Sequence, residues 1–301
     1  MSELTVPDQV VRMNLSAKGP AGRAWLEALP EIVEELCRRW DLSIGPAFEG
    51  GCVGFVAPAE RGDGARAVLK VSLVDDETRT EADALRFWDG DGAVRLLDAD
   101  PVLGALLLER LEPGTPLEQH AYPGQAITIG CALLRRLWRP VPAHHPFPLV
   151  RDLAARWARE IPERFDRLDR PFDAELARDA ARFCADFATS SEPIVLANRD
   201  YHLGNVLAAR REPWLLIDPK PLAGEPAFDT GHLLRSLLPP GVDRSHVNAL
   251  VDRLAGELHL RAEVIRMWAF VRSIEDALWG LGTGGPDVSW DLQRAGLLTV
   301  R

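Results

Sequence analysis

Apolar residues recur along this chain with two different periods, and the change from one to the other indicates its organisation. Arg23 to Trp40 has helical spacing, with Pro30 at a break or at the start of a second helix. From Leu42 the pattern changes to short β-prone runs. Two of these runs, Cys52 to Ala57 and Ala67 to Leu73, flank a glycine-containing turn, which predicts an antiparallel sheet in this part of the chain.

A helix and two further strands are predicted before the pattern breaks. Asp75 to Trp88 has an acidic start and an apolar face, which indicates a helix. Ala93 to Leu97 and Leu103 to Leu111 are predicted strands, and the second is so apolar that both of its faces should be buried. Glu112 to Pro116, with the sequence EPGTP, ends this pattern and is predicted to be a hinge.

The rest of the chain is predicted to be mainly helical. Two short apolar runs within it, Ile194 to Ala197 and Trp214 to Ile217, should pair as a hairpin. We therefore predict an α+β fold, with an N-terminal lobe of helices and antiparallel sheet, residues 1–111, and a C-terminal lobe, residues 112–301. The predicted helices of the second lobe are Gly124 to Trp138, Leu149 to Ile161, Ala174 to Phe187, Thr230 to Leu238, Val242 to Glu257 and Ala262 to Leu281.

Composition excludes several classes of protein. The chain has 301 residues and is 47% hydrophobic, which is enough for a substantial core. No apolar run approaches the roughly 20 residues of a membrane span, and no secretion signal is seen, so we expect a cytoplasmic protein without a membrane partner. The formal net charge of −10 disfavours nucleic acid and would suit a cationic small molecule. The oligomeric state is left open.

Cysteine and histidine show no pattern of ligands for a transition metal. No C-x-x-C pair occurs, so the cysteines are predicted to be small buried hydrophobes. His144 and His145 lie in a proline-rich connection without a third ligand at useful spacing, which favours a plain loop. The four cysteines are Cys37, Cys52, Cys131 and Cys184.

The stretch from Val195 to Lys220 carries the strongest chemical signal. Three of its polar residues, Asp200, Asn205 and Asp218, follow the ends of apolar runs. Phosphoryl transfer needs one carboxylate to orient a hydroxyl, and an amide oxygen with a second carboxylate to hold magnesium. We therefore predict Asp200 as the catalytic group and Asn205 and Asp218 as magnesium ligands. The alternative is three turn residues: a capping Asp200, a left-handed Asn205 and an Asp218 that opens a turn.

A predicted ion pair would serve the same chemistry. Lys70 lies inside an apolar strand, where a cation is costly unless it meets an anion. Glu81 in the following helix could pair with it and hold it toward the α- and β-phosphates of a nucleotide. The alternatives are a solvent-exposed lysine on an edge strand and Glu77, one turn earlier, as its partner.

A glycine cluster at the start of the first of the predicted strands could cover a nucleotide. Glu49 to Gly54 reads EGGCVG, and Gly51 within it would let the backbone approach the phosphates. A simple turn between strands explains this cluster almost as well. No G-x-x-x-x-G-K-[ST] motif is present, which argues against a P-loop kinase.

These motifs together resemble one family. VLANRDYHLGNVLAA with WLLIDPKPLAGEPAFDTGHLL resembles the catalytic and metal-binding region of the aminoglycoside phosphotransferases, in particular their streptomycin 6-phosphotransferase and hydroxyurea phosphotransferase branch. The similarity extends upstream through AVLKVSLVDDETRTEADALRFWDGDGAVRLLDAD and ALLLERLEPG. It covers roughly Phe48 to Leu238.

The resemblance implies a protein-kinase-like bilobal fold and O-phosphorylation of a hydroxyl on a small molecule. ATP and Mg²⁺ are the implied cofactors, and an aminoglycoside or a hydroxyurea-like antibiotic is the implied acceptor. A metabolite such as a sugar or an amino alcohol, or a pseudokinase that only binds nucleotide, are the alternatives. His202 would be a structural histidine. The implied site is Asp200 for catalysis, Asn205 and Asp218 for magnesium, Lys70 and Glu81 for the phosphates, and Glu109, Arg110 and Leu111 for adenine through their backbone.

The sequence departs from the family immediately before Asp200. The family usually has His-Gly there, whereas this chain has Asn198 and Arg199. Asn198 can donate and accept hydrogen bonds as the histidine does, so we expect the loop geometry to survive. Arg199 gives the sequence a likeness to the His-Arg-Asp signature of protein kinases.

Recognition of a polycationic, hydroxyl-rich acceptor should come from acidic or hydrogen-bonding groups in the C-terminal lobe. Asp229, Glu275 and Asp276 are the candidates. Asp229 could instead cap the helix that it begins. For Glu275 and Asp276, the solvated face of an amphipathic helix is an equally good interpretation.

Overall fold

The computed structural model describes residues 4–49, 53–189, 194–283 and 288–299. Its contacts divide the chain into two compact units. The first unit comprises Met1–Gly114 with Ala208–Leu215, and the second comprises Thr115–Leu207 with Leu216–Arg301.

The first unit is built on an antiparallel sheet. In the described part of the chain its five strands are β1 (Leu42–Ile44), β2 (Phe55–Arg61), β3 (Arg66–Val71), β4 (Leu96–Asp100) and β5 (Ala105–Glu109), in the order β1-β2-β3-β5-β4. The helices are α1 (Asp8–Ala17), α2 (Gly19–Arg39) and α3 (Glu81–Trp88).

The core of this unit lies between α2 and the sheet. Leu29, Val33 and Leu36 on one face of α2 cluster with Phe55 of β2 and Leu69 of β3, and all five side chains are buried. Burial of each such side chain contributes about 2 kcal/mol. Helix α2 therefore runs unbroken through its internal proline, since its packed face compensates for the missing hydrogen bond.

Several predicted element boundaries in this unit are wrong, and two of them have a visible local cause. The helix predicted from Asp75 begins only at Glu81. The Asp75 carboxylate accepts the backbone N–H groups of Glu77 and Thr78, at 2.9 and 3.1 Å, and this closes a turn in place of the first helical turn. Strand β4 starts at Leu96, three residues later than predicted, after a turn at residues 89–90 and a bend at residues 91–92.

The second unit is mainly helical, as predicted. Its helices are α4 (Pro123–Leu137), α5 (Val150–Arg167), α6 (Ala174–Ala188), α7 (Phe228–Ser236), α8 (Arg244–Leu258), α9 (Ala262–Thr283) and α10 (Ser289–Leu298). In the described part of the chain, the short strands β6 (Val195–Asn198) and β9 (Pro221–Gly224) accompany them, and the strands β7 (Val206–Ala208) and β8 (Trp214–Leu216) each include residues of both units. Helices α1 and α10 were not predicted. The antiparallel sheet and the helical second part confirm the predicted α+β class.

The predicted hairpin between the two apolar runs is wrong. Strand β6 pairs with β9 and not with β8, while β8 pairs with β7. Strands β7 and β8 are separated by only a five-residue turn, Ala209 to Pro213, so closing this hairpin costs less entropy than closing the longer predicted loop. The pairing leaves the segment between β6 and β7 as a loop, Arg199 to Asn205, which we call the Asp200 loop.

The remaining predictions from composition concern the burial of the cysteines and the apolar character of the helices. Cys37, Cys131 and Cys184 are free, and the last two are buried. Burial raises the pKa of both buried thiols to about 12, so they are inert hydrophobes at neutral pH. Cys52 lies outside the described residues. In the described ranges, no helix combines the length and apolar character that crossing a membrane requires.

Candidate active site

The first unit contains the predicted pair of Lys70 and Glu81. Lys70 lies on β3 between Val56 of β2 and Leu106 of β5, so it is on an inner strand and not on an edge. Its Nζ lies 2.6 and 2.7 Å from the two carboxylate oxygens of Glu81, the first residue of α3. The two residues are only 8% and 2% exposed. The competing Glu77 lies in the turn before α3.

This pair is a strong local constraint. Both charges are removed from water and can be tolerated there only because each satisfies the other. The bidentate contact fixes the ammonium group against the sheet and gives α3 a definite position on it.

The predicted adenine-binding residues follow at the end of β5. The Glu109 carboxylate accepts the backbone N–H of Arg95 at 2.9 Å and pairs with Arg211 at 2.5 Å. The Arg110 guanidinium lies 4.5 Å from the centre of the Phe48 ring. Since these side chains hold the strand end in place, recognition of a base would fall to the backbone. Gly51, predicted to cover the phosphates, lies outside the described residues.

In the second unit, Asn198 supports the Asp200 loop at its start. Its Oδ1 accepts the backbone N–H groups of Asp200, at 3.1 Å, and of Lys220, at 2.8 Å. Asn198 therefore ties the loop to the segment just before β9. These contacts are the kind of support that we expect from an asparagine in place of the histidine.

Asp229 holds the same point of the loop. The N-cap of α7 is Ala227, so the expectation that Asp229 caps this helix was wrong. The Asp229 residue is only 1% exposed, which does not support the predicted role in acceptor binding. Its Oδ1 accepts the backbone N–H of Asn198 at 2.7 Å and its Oδ2 accepts Nε1–H of Trp138 at 2.9 Å. Burial raises its pKa well above that of an ordinary carboxyl group. Asp229 thus anchors the loop.

Asp200 itself is partly open to solvent, with 27% of its side chain exposed. The amide Nδ2 of Asn205 donates to the backbone carbonyl of Asp200 at 3.2 Å. The Nδ1 atom of His232, on α7, lies 3.5 Å from the Asp200 carboxylate. An accessible carboxylate on a loop fixed at several points can orient a hydroxyl group.

The two predicted metal ligands are brought near each other through the backbone. Ile217 donates its N–H to the carbonyl of Asn205 at 2.8 Å, which aligns Asp218 with the end of the Asp200 loop. Because Nδ2 of Asn205 donates to Asp200, its amide oxygen is the atom of this side chain that could bind an ion. The Asp218 side chain is 38% exposed, and its carboxylate lies 3.5 Å from Nζ of Lys220. One carboxylate and one amide oxygen fit the donor set that magnesium prefers.

The left-handed residue in this region is Asp218, with φ of 50°, and not Asn205 as the turn interpretation had it. An aspartate tolerates this conformation better than most residues, but at a small cost. In this conformation the side chain of Asp218 leaves the backbone in a different direction than it would at the end of an extended strand.

Glu275 and Asp276 belong to an ion-pair network, so a solvated helix face is the wrong interpretation. Glu275 pairs with Arg164 and has Arg199 at 4.0 Å, while Asp276 has Arg235 at 2.5 Å. All these side chains are buried or only partly exposed. These charges join α5, α7 and α9 to the Asp200 loop and are already neutralised by arginine, which does not support a role in binding a cationic acceptor.

Sequence reasoning missed the histidine next to Asp200. His232 stacks on His202, with ring centres 5.1 Å apart, and the Nδ1 atom of His202 accepts the N–H of Gly204 at 3.1 Å. The available signal was its spacing: His232 follows Asp229 by three residues and therefore shares its helix face.

The fold has counterparts among solved kinases. The chain superposes on a choline/ethanolamine kinase family protein from Mesorhizobium loti with a TM-score of 0.60 and 17% identity, over 89% of this chain and 93% of that one. This likeness shows a protein-kinase-like fold, as predicted.

The sequence identifies the family within that fold. Residues 39–284 match the model of the aminoglycoside/hydroxyurea antibiotic resistance kinases. The chain is 37% identical to a streptomycin 6-kinase from Streptomyces glaucescens, over 93% of this chain and 92% of the relative. It is 39% identical to a hydroxyurea phosphotransferase from Kitasatospora aureofaciens, over 93% of this chain and 81% of the relative. The chain belongs to the aminoglycoside/hydroxyurea antibiotic resistance kinases and is a small-molecule kinase that uses a nucleotide.

Proposed function

We propose that this kinase transfers the γ-phosphoryl group of ATP, with Mg²⁺, to a hydroxyl group of a streptomycin-like aminoglycoside or of hydroxyurea. The observation that carries the acceptor class is the similarity, over 93% of the chain, to relatives named for streptomycin and for hydroxyurea. Both relatives align well beyond the region of the Asp200 loop, so the proposal does not depend on one motif.

We assign the roles as follows. Asp200 orients the acceptor hydroxyl and takes its proton as the oxygen bonds to the γ-phosphorus, while the bond from that phosphorus to the bridging oxygen breaks and ADP leaves. Lys70, held in place by Glu81, binds the α- and β-phosphates, and Asn205 and Asp218 hold the magnesium ion. When bound, the ion neutralises charge on the phosphates.

The remaining nucleotide contacts are assigned to the first part of the chain. The backbone of Glu109, Arg110 and Leu111 binds adenine, and the loop containing Gly51 covers the phosphates. In this scheme residues 1–111 form the nucleotide-binding lobe and residues 112–301 the acceptor-binding lobe. Asp229, Glu275 and Asp276 have no part in acceptor binding, because each is engaged with the protein itself.

The test is phosphorylation of a panel of acceptors. The protein is incubated with ATP and Mg²⁺ together with streptomycin, other aminoglycosides, hydroxyurea, sugars and amino alcohols, and mass spectrometry detects one added phosphate. We expect a product from streptomycin or hydroxyurea. A product from a metabolite alone would contradict the antibiotic acceptor, and nucleotide binding without any product would indicate a pseudokinase.

A further inference from the structure

The face of α7 that meets the Asp200 loop presents two polar side chains. Asp229 accepts the backbone N–H of Asn198 at 2.7 Å, at the start of the loop. His232, three residues later on the same face, has its Nδ1 atom 3.5 Å from Oδ1 of Asp200. The helix therefore contacts both the base of the loop and its reactive carboxylate.

The orientation of His232 is fixed by its surroundings. Its ring stacks on that of His202, with 5.1 Å between ring centres and 28° between planes. His202 is itself held by the N–H of Gly204. The Nδ1 atom of His232 is buried and makes no hydrogen bond within the described residues. Oδ1 of Asp200, 3.5 Å away, is the acceptor that it approaches.

The environment also sets the charge of this ring. Burial lowers the pKa of His232 well below its usual value, and the positive charges of Arg272, Arg235 and Arg199 act in the same direction. The carboxylate facing it is that of Asp200, while Glu275 and Asp276 are paired with the surrounding arginines. The imidazole is therefore neutral at physiological pH and carries one N–H.

We propose that His232 is a positioning residue for Asp200: its neutral imidazole donates Nδ1–H to Oδ1 and turns the other carboxylate oxygen toward the acceptor hydroxyl. This rests on the proposed function, in which Asp200 orients that hydroxyl. A contact of 3.5 Å is long for a hydrogen bond, but such contacts commonly shorten when the substrate is bound. A neutral donor orients the carboxylate without the full positive charge that would weaken it as a base.

A metal site is the competing interpretation of these residues. Within the described ranges, Asp200, His202 and His232 form the one group of three or more histidine, cysteine, aspartate or glutamate side chains whose ligand atoms lie close enough together for an ion. However, Nδ1 of His202 accepts a backbone N–H, so its other ring nitrogen carries the hydrogen. Ligation through that nitrogen would require the ring to give up the Gly204 contact, and we therefore favour positioning.

Steady-state kinetics separate positioning from packing. His232→Leu removes the donor, and we expect kcat to fall about 10-fold while KM for ATP changes less than about twofold. His232→Asn places an amide N–H near the original Nδ1 and should recover most of that loss. His246→Asn, on the exposed first turn of α8, is the matched control. Equal losses in His232→Leu and His232→Asn, or a change confined to KM, would overturn the proposal.

A second measurement does not depend on activity. The chain has seven histidines, so ¹⁵N-histidine NMR can resolve their ring signals, with His232→Asn identifying the signal of interest. We expect a neutral Nδ1–H tautomer at pH 7 and a shift of that nitrogen in Asp200→Asn. An Nε2–H tautomer or an imidazolium would refute the role of His232, whereas full activity of Asp200→Asn would refute the proposed role of Asp200 instead.

Discussion

The Lys70–Glu81 pair and the Asp200 loop are held in place by opposite strategies. In the first unit, two opposite charges with almost no exposure meet directly, and one contact determines the geometry. In the second unit, the partly exposed carboxylate of Asp200 is placed by hydrogen bonds to the backbone around it, made by Asn198, Asn205 and Asp229. The first arrangement should fail when either partner is lost, and the second should loosen in steps.

The largest effect is expected from replacing Asp200, the reactive group that the second arrangement holds in place. Asp200→Ala should lower kcat by about 10²-fold or more, because a carboxylate that orients and deprotonates the hydroxyl is lost. Nucleotide affinity, measured by calorimetry, should change little, since Asp200 is not assigned to the nucleotide. Unchanged turnover in the acceptor assay would contradict the assignment.

The next effect tests the single contact of the first unit. Glu81→Gln removes one partner of a buried ion pair, and we expect roughly 3 kcal/mol lower unfolding free energy together with weaker ATP binding. Denaturant titration measures the first and calorimetry the second. Glu77→Gln is the matched control, because this neighbouring glutamate is exposed and lies in the turn before α3. Similar behaviour of the two variants would show that the buried pair is not a strong constraint.

A smaller effect tests the anchoring of the loop. Asp229→Asn keeps one acceptor oxygen but turns an amide N–H₂ toward one of two donors, Trp138 or Asn198, and should cost about 2 kcal/mol of unfolding free energy. Because the loop keeps its contacts to Asn198, kcat should fall less than in Asp200→Ala. Asp252→Asn, on the exposed face of α8, should stay within about 0.5 kcal/mol of the wild type. A loss of kcat equal to that of Asp200→Ala would contradict stepwise loosening.

The smallest effect is expected for a partly exposed ion pair, in contrast to the buried ion pair of Lys70 and Glu81. Lys18 lies 2.7 Å from Asp75, and Lys18→Ala should cost less than about 1 kcal/mol of unfolding free energy. Burial acts to raise the pKa of Asp75, but the Lys18 contact and the N–H groups of Thr78 and Glu77 outweigh it and hold the pKa below 3.8.

The sign of that shift determines the pH dependence. A depressed folded-state pKa means that the contribution of Asp75 is present above about pH 4 and is lost as the pH falls through the folded value. The difference in unfolding free energy between Lys18→Ala and the wild type should therefore shrink below pH 4. A difference that stays constant down to pH 2 would show that the ion pair contributes nothing.

Most helices and strands of both units could be predicted from periodicity, because each buries one continuous apolar face. The exceptions come from interactions that periodicity does not report. The helix predicted from Asp75 was shortened because the Asp75 side chain accepts hydrogen bonds from the backbone of its own turn. The hairpin prediction failed because two apolar runs were paired without considering the shorter loop available to β7 and β8.

A candidate residue could be found from sequence when its type is unusual among its neighbours in the chain. A candidate whose type is common in its position could not be found in this way. A lysine within an apolar strand requires an anion, so Lys70 pointed to Glu81. Asp229 and Glu275 look in sequence like any acidic residues on helices. Only the fold shows that one meets the N–H of Asn198 and the other an arginine.

The sequence by itself determined the α+β class, the family and the pairing of Lys70 with Glu81, because these depend on local pattern and on the high cost of an unpaired buried charge. The tertiary structure alone decided which strand pairs with β6, which acidic residues support the protein itself, and that His232 lies next to Asp200. Those outcomes depend on contacts between distant parts of the chain, and the energy of such contacts is a property of the folded arrangement and not of any one segment.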